Sequence, residues 1–352
     1  MTSLALAAGT VVPASKPRPL LVRPGARFRC AGDGLCCTDL HALGPLTRSE
    51  AREMRALIPG SVQYHPDVEA PCMRFGQGGG CAQLQRGGLC GVHARFGAEA
   101  KPVGCRRFPY GLLNTPEGGR VTTEHRCPCR TLGERPALDL VEAEGSLTDP
   151  SGRLLADESA PPRMPMSARR RVAFANYRAL EARMLERLAA GERAEHVLGC
   201  EPLPRLDDRS WPVVGAELLD MQDGSRGGEA LRWFGDALLA LSSGHKPPHR
   251  ERPWRGAFER GARRARRPEG REQVLNDWVA DELWMMRWLT WRCAFDVARA
   301  ELTTRVHAAR WVARRLERMG VREDQAAAEA VMMAELTACA DPWEDAVRAI
   351  QV

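Results

Sequence analysis

The chain has 352 residues, of which 44% are hydrophobic and 27% charged. That is the composition of a soluble globular protein long enough for two domains. No apolar run reaches the roughly 18–20 residues that a membrane-spanning helix needs; the longest, residues 283–295, is interrupted by Arg287 and Arg292. The formal net charge of +6 is carried by arginine, with lysine only at Lys16, Lys101 and Lys246. These cations are scattered and mixed with acids, as GC-rich coding would leave them, so neither a nucleic-acid nor a membrane partner is expected.

In chain order, residues 1–27 read as an extended segment, because Pro13, Pro17, Pro19 and Pro24 oppose a helix. Its start, MTSLALAAGT, has no basic residue before the apolar stretch and reads as a non-secreted terminus. Residues 28–132 form a cysteine- and glycine-rich region with one clear helix. Thr47 and Glu50 make a capping-box pattern, Ala51, Met54, Leu57 and Ile58 give an apolar face, and Pro59-Gly60 ends the run. A β-hairpin is expected between Tyr110 and His125, turning within the run Thr115-Pro116-Glu117-Gly118-Gly119. Such pairing sets residue 105 opposite roughly residue 130 and returns Cys127 and Cys129 toward Cys105.

Residues 133–165, punctuated by Pro136, Pro150, Pro161, Pro162 and Pro165, read as a linker. From residue 166 to 352 the pattern is helical. One helix carries Val172, Phe174, Tyr177, Leu180, Met184, Leu185 and Leu188 and stops at Gly191. Another spans Glu229 to Leu241. A basic, Pro- and Gly-rich interruption fills 244–270, a long helical stretch runs from Glu272 to about Met319, and further helices fall near 323–339 and 342–350. All nine tryptophans lie in this half. Trp278, Trp284, Trp288, Trp291 and Trp311 recur near one apolar stripe and read as buried core. The expected fold is mainly α: an irregular cysteine-rich domain with a helix and a short hairpin, followed by a helical domain.

Nine of the twelve cysteines crowd into the first third: Cys30, Cys36, Cys37, Cys72, Cys81, Cys90, Cys105, Cys127 and Cys129. Thiolates are soft ligands that select zinc or iron–sulfur clusters. Without a secretory signal, and in a chain large enough to build a core without staples, metal thiolates in a reducing cytoplasm are expected rather than disulfides. Gly32 and Gly34 lie between Cys30 and Cys36, and glycines precede Cys81, Cys90 and Cys105, which lets the backbone wrap closely around an ion. One tetrahedral zinc or one [4Fe–4S] cluster takes four cysteines, so nine supply one centre or two. Arg29, Arg106, Arg126 and Arg130 each adjoin a cysteine and are expected to stabilise the thiolates. His93 and His125 lie near candidate ligands and read as outer or surface groups; His41 and His65 are weaker candidates. Cys200, Cys293 and Cys339 read as small apolar residues.

Phe28-Arg29-Cys30 with Cys36-Cys37, Cys81-Ala82-Gln83-Leu84, Cys90-Gly91-Val92-His93, and Cys105-Arg106-Arg107-Phe108-Pro109 after Pro102 together resemble the YkgJ-type cysteine-cluster family, the zinc- or iron-chelating CxxCxxCC domain. The resemblance covers roughly residues 28–110. It implies metal ligation by Cys30, Cys36, Cys37, Cys81, Cys90 and Cys105. Many members have a further cysteine in the first cluster where this chain has Asp33 or a neighbour, a place that Cys72, Cys127 or Cys129 would fill. The overall organisation is also similar, distantly, to flagellin lysine N-methylase, with residues 272–295 as the counterpart in its helical region.

The expected function is therefore a cytoplasmic metal-binding protein holding zinc or an iron–sulfur cluster. One alternative, implied by the methylase resemblance, is a protein-lysine N-methyltransferase-like enzyme that would use S-adenosylmethionine on a protein substrate. Another is a redox or metal-handling module that docks a partner protein. The residues present no nucleotide-type glycine loop, and no catalytic residue is assigned from spacing.

Overall fold

The computed structural model describes residues 12–13, 19–30, 34–37, 45–65, 69–76, 80–149, 151–221, 224–264, 266–267 and 269–352. Among these the chain is mainly α, about 52% helical, with fourteen α-helices and small sheets. Two short strands, β1 (Val12–Pro13) and β2 (Leu20–Val22), precede the first helix, α1 (Arg48–Leu57). The capping box is present: the Thr47 hydroxyl accepts from Glu50 N at 3.2 Å, and Glu50 accepts from Thr47 N at 2.8 Å. Ala51 and Met54 are buried against Met73 and Val92, whereas Leu57 is exposed. An antiparallel pair follows, β3 (Val62–His65) with β4 (Ala70–Met73). Two short helices come next, α2 (Gly91–Phe96) and α3 (Val103–Arg107), in a stretch whose composition had promised only one helix.

The expected hairpin is formed by β5 (Tyr110–Thr115) and β6 (Gly118–Thr123), joined by Pro116-Glu117, with Leu112 opposite Val121. β2 adds parallel to β6. Gly118 has φ +152°, and a Cβ there would stand 2.4 Å from the Pro19 carbonyl, so only glycine admits the crossing strand. After α4 (Pro128–Thr131) comes the stretch expected to be a linker. It is folded instead. It contains α5 (Leu140–Leu147), capped by Asp139, then β7 (Leu155–Ala156), β8 (Glu158–Ser159) and β9 (Arg163–Pro165). β8 extends the sheet to the order β2-β6-β5-β8, while β7 pairs with β1. Between them Asp157 accepts from Leu112 N and from Arg107, both at 2.8 Å. Ala143, Leu147 and Ala156 are fully buried. Proline spacing signalled turns there but not the sheet edge that those turns serve.

The helical half begins at β10 (Arg171–Ala173), which pairs with β9 and leads into α6 (Phe174–Ala189). It continues through α7 (Ala194–Leu198), α8 (Trp211–Asp220) and α9 (Arg226–Ser243). The basic interruption is partly helix, α10 (Arg255–Arg264). Its Trp254 and Phe258 are buried, Arg250 pairs with Asp236 at 2.7 Å, and Arg252 grips Glu329. The helical stretch expected from 272 to 319 is two helices, α11 (Gly270–Met285) and α12 (Phe295–Arg318). Met286 and Arg292 turn the chain between them at φ +52° and +55°. The break lets Glu282 of α11 receive Arg305 of α12 at 2.5 Å, which one straight helix could not do. α13 (Glu323–Thr337) and α14 (Asp341–Arg348) complete the bundle.

Of the five tryptophans expected in the core, Trp278, Trp284 and Trp288 are buried and Trp291 and Trp311 are half-buried; Trp278 donates to Glu335 at 2.8 Å and Trp343 to Glu301 at 2.9 Å. No described helix is long and apolar enough to cross a membrane.

Candidate metal centre

Four separate pieces of backbone meet at one place. The short turn Leu35–Cys37 is entered through Gly34 at φ +70°. A Cβ on Gly34 would stand 2.3 Å from the Gly88 carbonyl, so the first cysteine loop is seated directly on the loop that leads to Cys90. Cys81 N donates to the Cys37 carbonyl at 2.8 Å, which fixes the second loop to the first. Cys90 stands at the N-cap of α2, and Cys105 sits within α3. Glu50 binds α3 to α1 by accepting from Val103 N at 2.8 Å, so the capping-box residue also positions the Cys105 turn.

Electrostatics shows which thiols share surroundings. The Cys105 thiol is pushed up to about 12, first by burial and then by the charges of Cys37, Cys81 and Cys90, against the opposing pull of Lys101. Cys81 is raised to about 11 by burial, partly offset by the Gln83 N–H, with Cys37 and Cys90 adding to the rise. Cys36 and Cys37 have their sulfurs 4.0 Å apart. Their mutual hydrogen bond lowers Cys37 to about 7 and raises Cys36, with Lys101 also favouring the Cys37 thiolate. Thiols whose charges oppose ionisation of a neighbour, as those of Cys37, Cys81 and Cys90 oppose that of Cys105, form a donor set whose repulsion a bound cation would relieve. The second set of neighbours overlaps the first: Cys30 acts on both Cys36 and Cys37, and Cys129 on Cys36. Two overlapping groups result, Cys37 with Cys81, Cys90 and Cys105, and Cys36 with Cys30 and Cys129, joined through the Cys36–Cys37 contact.

As placed, no three His, Cys, Asp or Glu side chains among the described residues stand close enough to hold a metal ion. The thiols share a neighbourhood, then, without a closed coordination shell. All twelve cysteines are free. Cys72 is buried in β4 opposite Gln63, and burial alone perturbs its thiol, which sets it outside both groups. Cys127 and Cys129 are buried beside Phe28 and Tyr110. The hairpin carries Cys129 to the Cys30–Cys36 side, whereas the thiols acting on Cys105 are Cys37, Cys81 and Cys90. Asp33, Gly32, His41 and Gly78-Gly79 lie outside the described residues.

Three of the four arginines next to cysteines pair with carboxylates rather than with the adjoining thiols. Arg106 pairs with Glu99 at 3.0 Å, Arg126 with Glu124, and Arg130 with Asp277 at 2.7 Å. Lys101 is the cation that acts on Cys37 and Cys105. His93 is exposed on α2, and His65 packs edge-on against Phe75 at 5.5 Å. Cys200 and Cys293 pack against the helical core, and Cys339 is half-buried.

His125 is wholly buried and belongs to a charged clasp that spacing gave no reason to expect. Its Nε2 lies 2.8 Å from Asp281 and its Nδ1 3.0 Å from the Thr131 hydroxyl. Burial and Arg130 depress its pKa. Arg23 reaches Asp277 at 2.5 Å and Asp281 at 2.6 Å, Arg130 holds both carboxylates, and Arg267 adds a third guanidinium at 3.0 Å from Asp277. Asp277 and Asp281 are four residues apart on α11, hence on one face. The clasp fixes the turn bearing Cys127 and Cys129 onto the helical bundle. Two aspartates in the apolar tryptophan stretch were its only trace in the sequence.

Comparison of the chain with family models, with curated proteins and with solved structures finds no match.

Proposed function

We propose that the first third of the chain binds a metal centre, either zinc or an iron–sulfur cluster, with Cys37, Cys81, Cys90 and Cys105 as its ligands. The observation that carries this reading is the seating of the Cys37 turn on the Cys81 and Cys90 loops, where Cys81 N donates to the Cys37 carbonyl and Gly34 packs on Gly88, with the charges of Cys37, Cys81 and Cys90 bearing on Cys105. Four cysteines complete either a tetrahedral zinc site or one cubane cluster. Metal binding would draw the thiolates in, with release of the protons that the free thiols hold. Cys30, Cys36 and Cys129 form the neighbouring group and would supply a second centre or the outer wall of the first. The resemblance to YkgJ-type cysteine-cluster proteins includes these four among the six positions it implies, with Cys30 and Cys36 besides.

The test is anaerobic purification of the full chain followed by metal analysis and a visible spectrum. One or two equivalents of zinc in a colourless protein, or iron with sulfide and a brown charge-transfer band, support the proposal and identify the metal. Cys37→Ser and Cys105→Ser should each lower metal content, while Cys293→Ser should leave it unchanged. A preparation with no bound metal that also takes up none on reconstitution would overturn the reading.

A further inference from the structure

The hairpin of β9 and β10 carries four arginines that no acid answers. Between Glu158 and Glu181 the sequence has no aspartate or glutamate, yet it holds Arg163, Arg169, Arg170, Arg171 and Arg178. Arg178 turns to Glu117 and Glu181. The other four are exposed, and among the described residues none of them forms an ion pair. Arg163 donates to the Arg171 carbonyl at 3.5 Å. Elsewhere on the surface arginine is matched: Arg187 by Glu192, Arg255 by Glu259, Arg348 by Glu344.

The backbone holds these side chains outward. Strand alternation buries Met164 and sets Val172 against the core, so Arg163, Arg171 and Ala173 face solvent. Arg163 lies opposite Ala173, which makes Arg171 its diagonal neighbour across the strands, about 7–8 Å away. At the tip, Met166 N donates to the Arg170 carbonyl at 2.8 Å, and the Ser167 hydroxyl accepts from Arg170 N at 3.1 Å. Main chain and one serine therefore hold the turn, and the guanidiniums are left over. Asp296 N donates to the Met166 carbonyl at 3.1 Å and seats the tip on the start of α12, while the Asp296 carboxylate accepts from Val297 N.

We propose that this hairpin docks an acidic, extended polypeptide segment, its carboxylates received by Arg163, Arg169, Arg170 and Arg171. A guanidinium presents a planar fork that matches a carboxylate. Alternate side chains of an extended chain recur about every 6.6–6.8 Å, close to the diagonal between Arg163 and Arg171. Other polyanions fit less well. A nucleic-acid single strand gains from aromatic rings to stack on, but Phe174 and Tyr177 at the end of the hairpin are buried. A duplex draws on about 6–10 phosphate contacts, more than four arginines on one hairpin supply. A membrane surface wants apolar side chains beside the cations, but Met164 is buried and Met166 packs against the core. The proposal is independent of the metal centre.

The test uses the full-length protein and the fluorescence anisotropy of a labelled decapeptide of alternating glutamate and threonine, with a glutamine–threonine decapeptide as the neutral counterpart. Saturable binding of the acidic peptide is expected, weaker by about tenfold for the neutral one, and falling by about tenfold between about 50 and 300 mM salt. The triple variant Arg169→Gln/Arg170→Gln/Arg171→Gln should weaken the acidic peptide by about tenfold, the loss of two or three exposed pairs. Its melting temperature should stay close to wild type, since it breaks no ion pair of the fold. Arg187→Gln/Arg255→Gln/Arg348→Gln removes the same charge from matched surface arginines and should bind within about twofold of wild type. No binding at low salt, an equal loss in the two triple variants, or tighter binding of an oligothymidylate, a DNA duplex or phosphatidylserine vesicles than of the peptide would overturn the proposal.

Discussion

Asp277→Asn is the most demanding test of how the cysteine region and the helical half are joined. Asp277 receives Arg23 at 2.5 Å, Arg130 at 2.7 and 3.1 Å, and Arg267 at 3.0 Å, all in a buried setting. Asparagine keeps the shape and removes the charge. Three guanidiniums would then face the single carboxylate of Asp281. Breaking a buried ion pair by removing one partner costs about 3–5 kcal/mol. At about 2–4 °C per kcal/mol for a large domain, that is a fall in melting temperature on the order of 10 °C. Circular dichroism at 222 nm follows the helices, and the reactivity of the cysteines toward a thiol reagent follows the N-terminal region. Both transitions should move down together, because Arg23 and Arg130 belong to one region and Asp277 to the other. Arg348→Ala, which removes only exposed pairs with Glu344 and Asp345, should change stability by less than about 1 kcal/mol. A variant melting within about 1 °C of wild type, or one in which only the helices loosen, would refute the reasoning.

Acid should act on the same groups. The guanidiniums beside Asp277 hold its carboxyl well below the usual range, and Asp281 and Glu335 are held near about 2 against the penalty of burial. The folded state then binds fewer protons than the unfolded one, so the stability these groups contribute is present above their ordinary values near 4 and is lost as pH falls toward 2. Urea unfolding midpoints measured across that window should climb with pH; a flat or falling profile would count against the assignment. Gly34→Ala should strip metal from the protein as well as destabilise it, since φ +70° costs an L-residue about 1–2 kcal/mol and the new methyl meets the Gly88 carbonyl; retention of full metal content, measured by elemental analysis, would contradict the interlocked loops. Cys72→Ala should leave metal stoichiometry unchanged, in contrast to Cys105→Ser, and a matched loss in both variants would place Cys72 among the ligands.

Local signals were readable wherever a local cause dominates. Thr47 and Glu50 specify a helix start because the bonds they make lie within one turn. The Pro116-Glu117 turn specifies the hairpin, because a two-residue connection sets the register of the strands it joins. Tryptophans at helical spacing were core because nothing else in a bundle of this size buries so much apolar surface.

What the sequence left open depends on distances between residues far apart in the chain. Cys36 and Cys37 touch through their sulfurs, yet Cys129 bears on Cys36 and Lys101 on Cys37, a difference that residue order does not carry. Arg106, Arg126 and Arg130 sit beside cysteines in sequence but answer carboxylates in space, because a buried guanidinium needs a full negative partner more than a thiol can supply. Residues 133–165 read as a linker because their strands are two or three residues long, and strands that short exist only through the sheet they join. The break after Met285 and the clasp around Asp277 and Asp281 are likewise tertiary choices: burying a charge is tolerable only when its counter-charges arrive from elsewhere in the fold, and periodicity along one helix carries no record of their arrival.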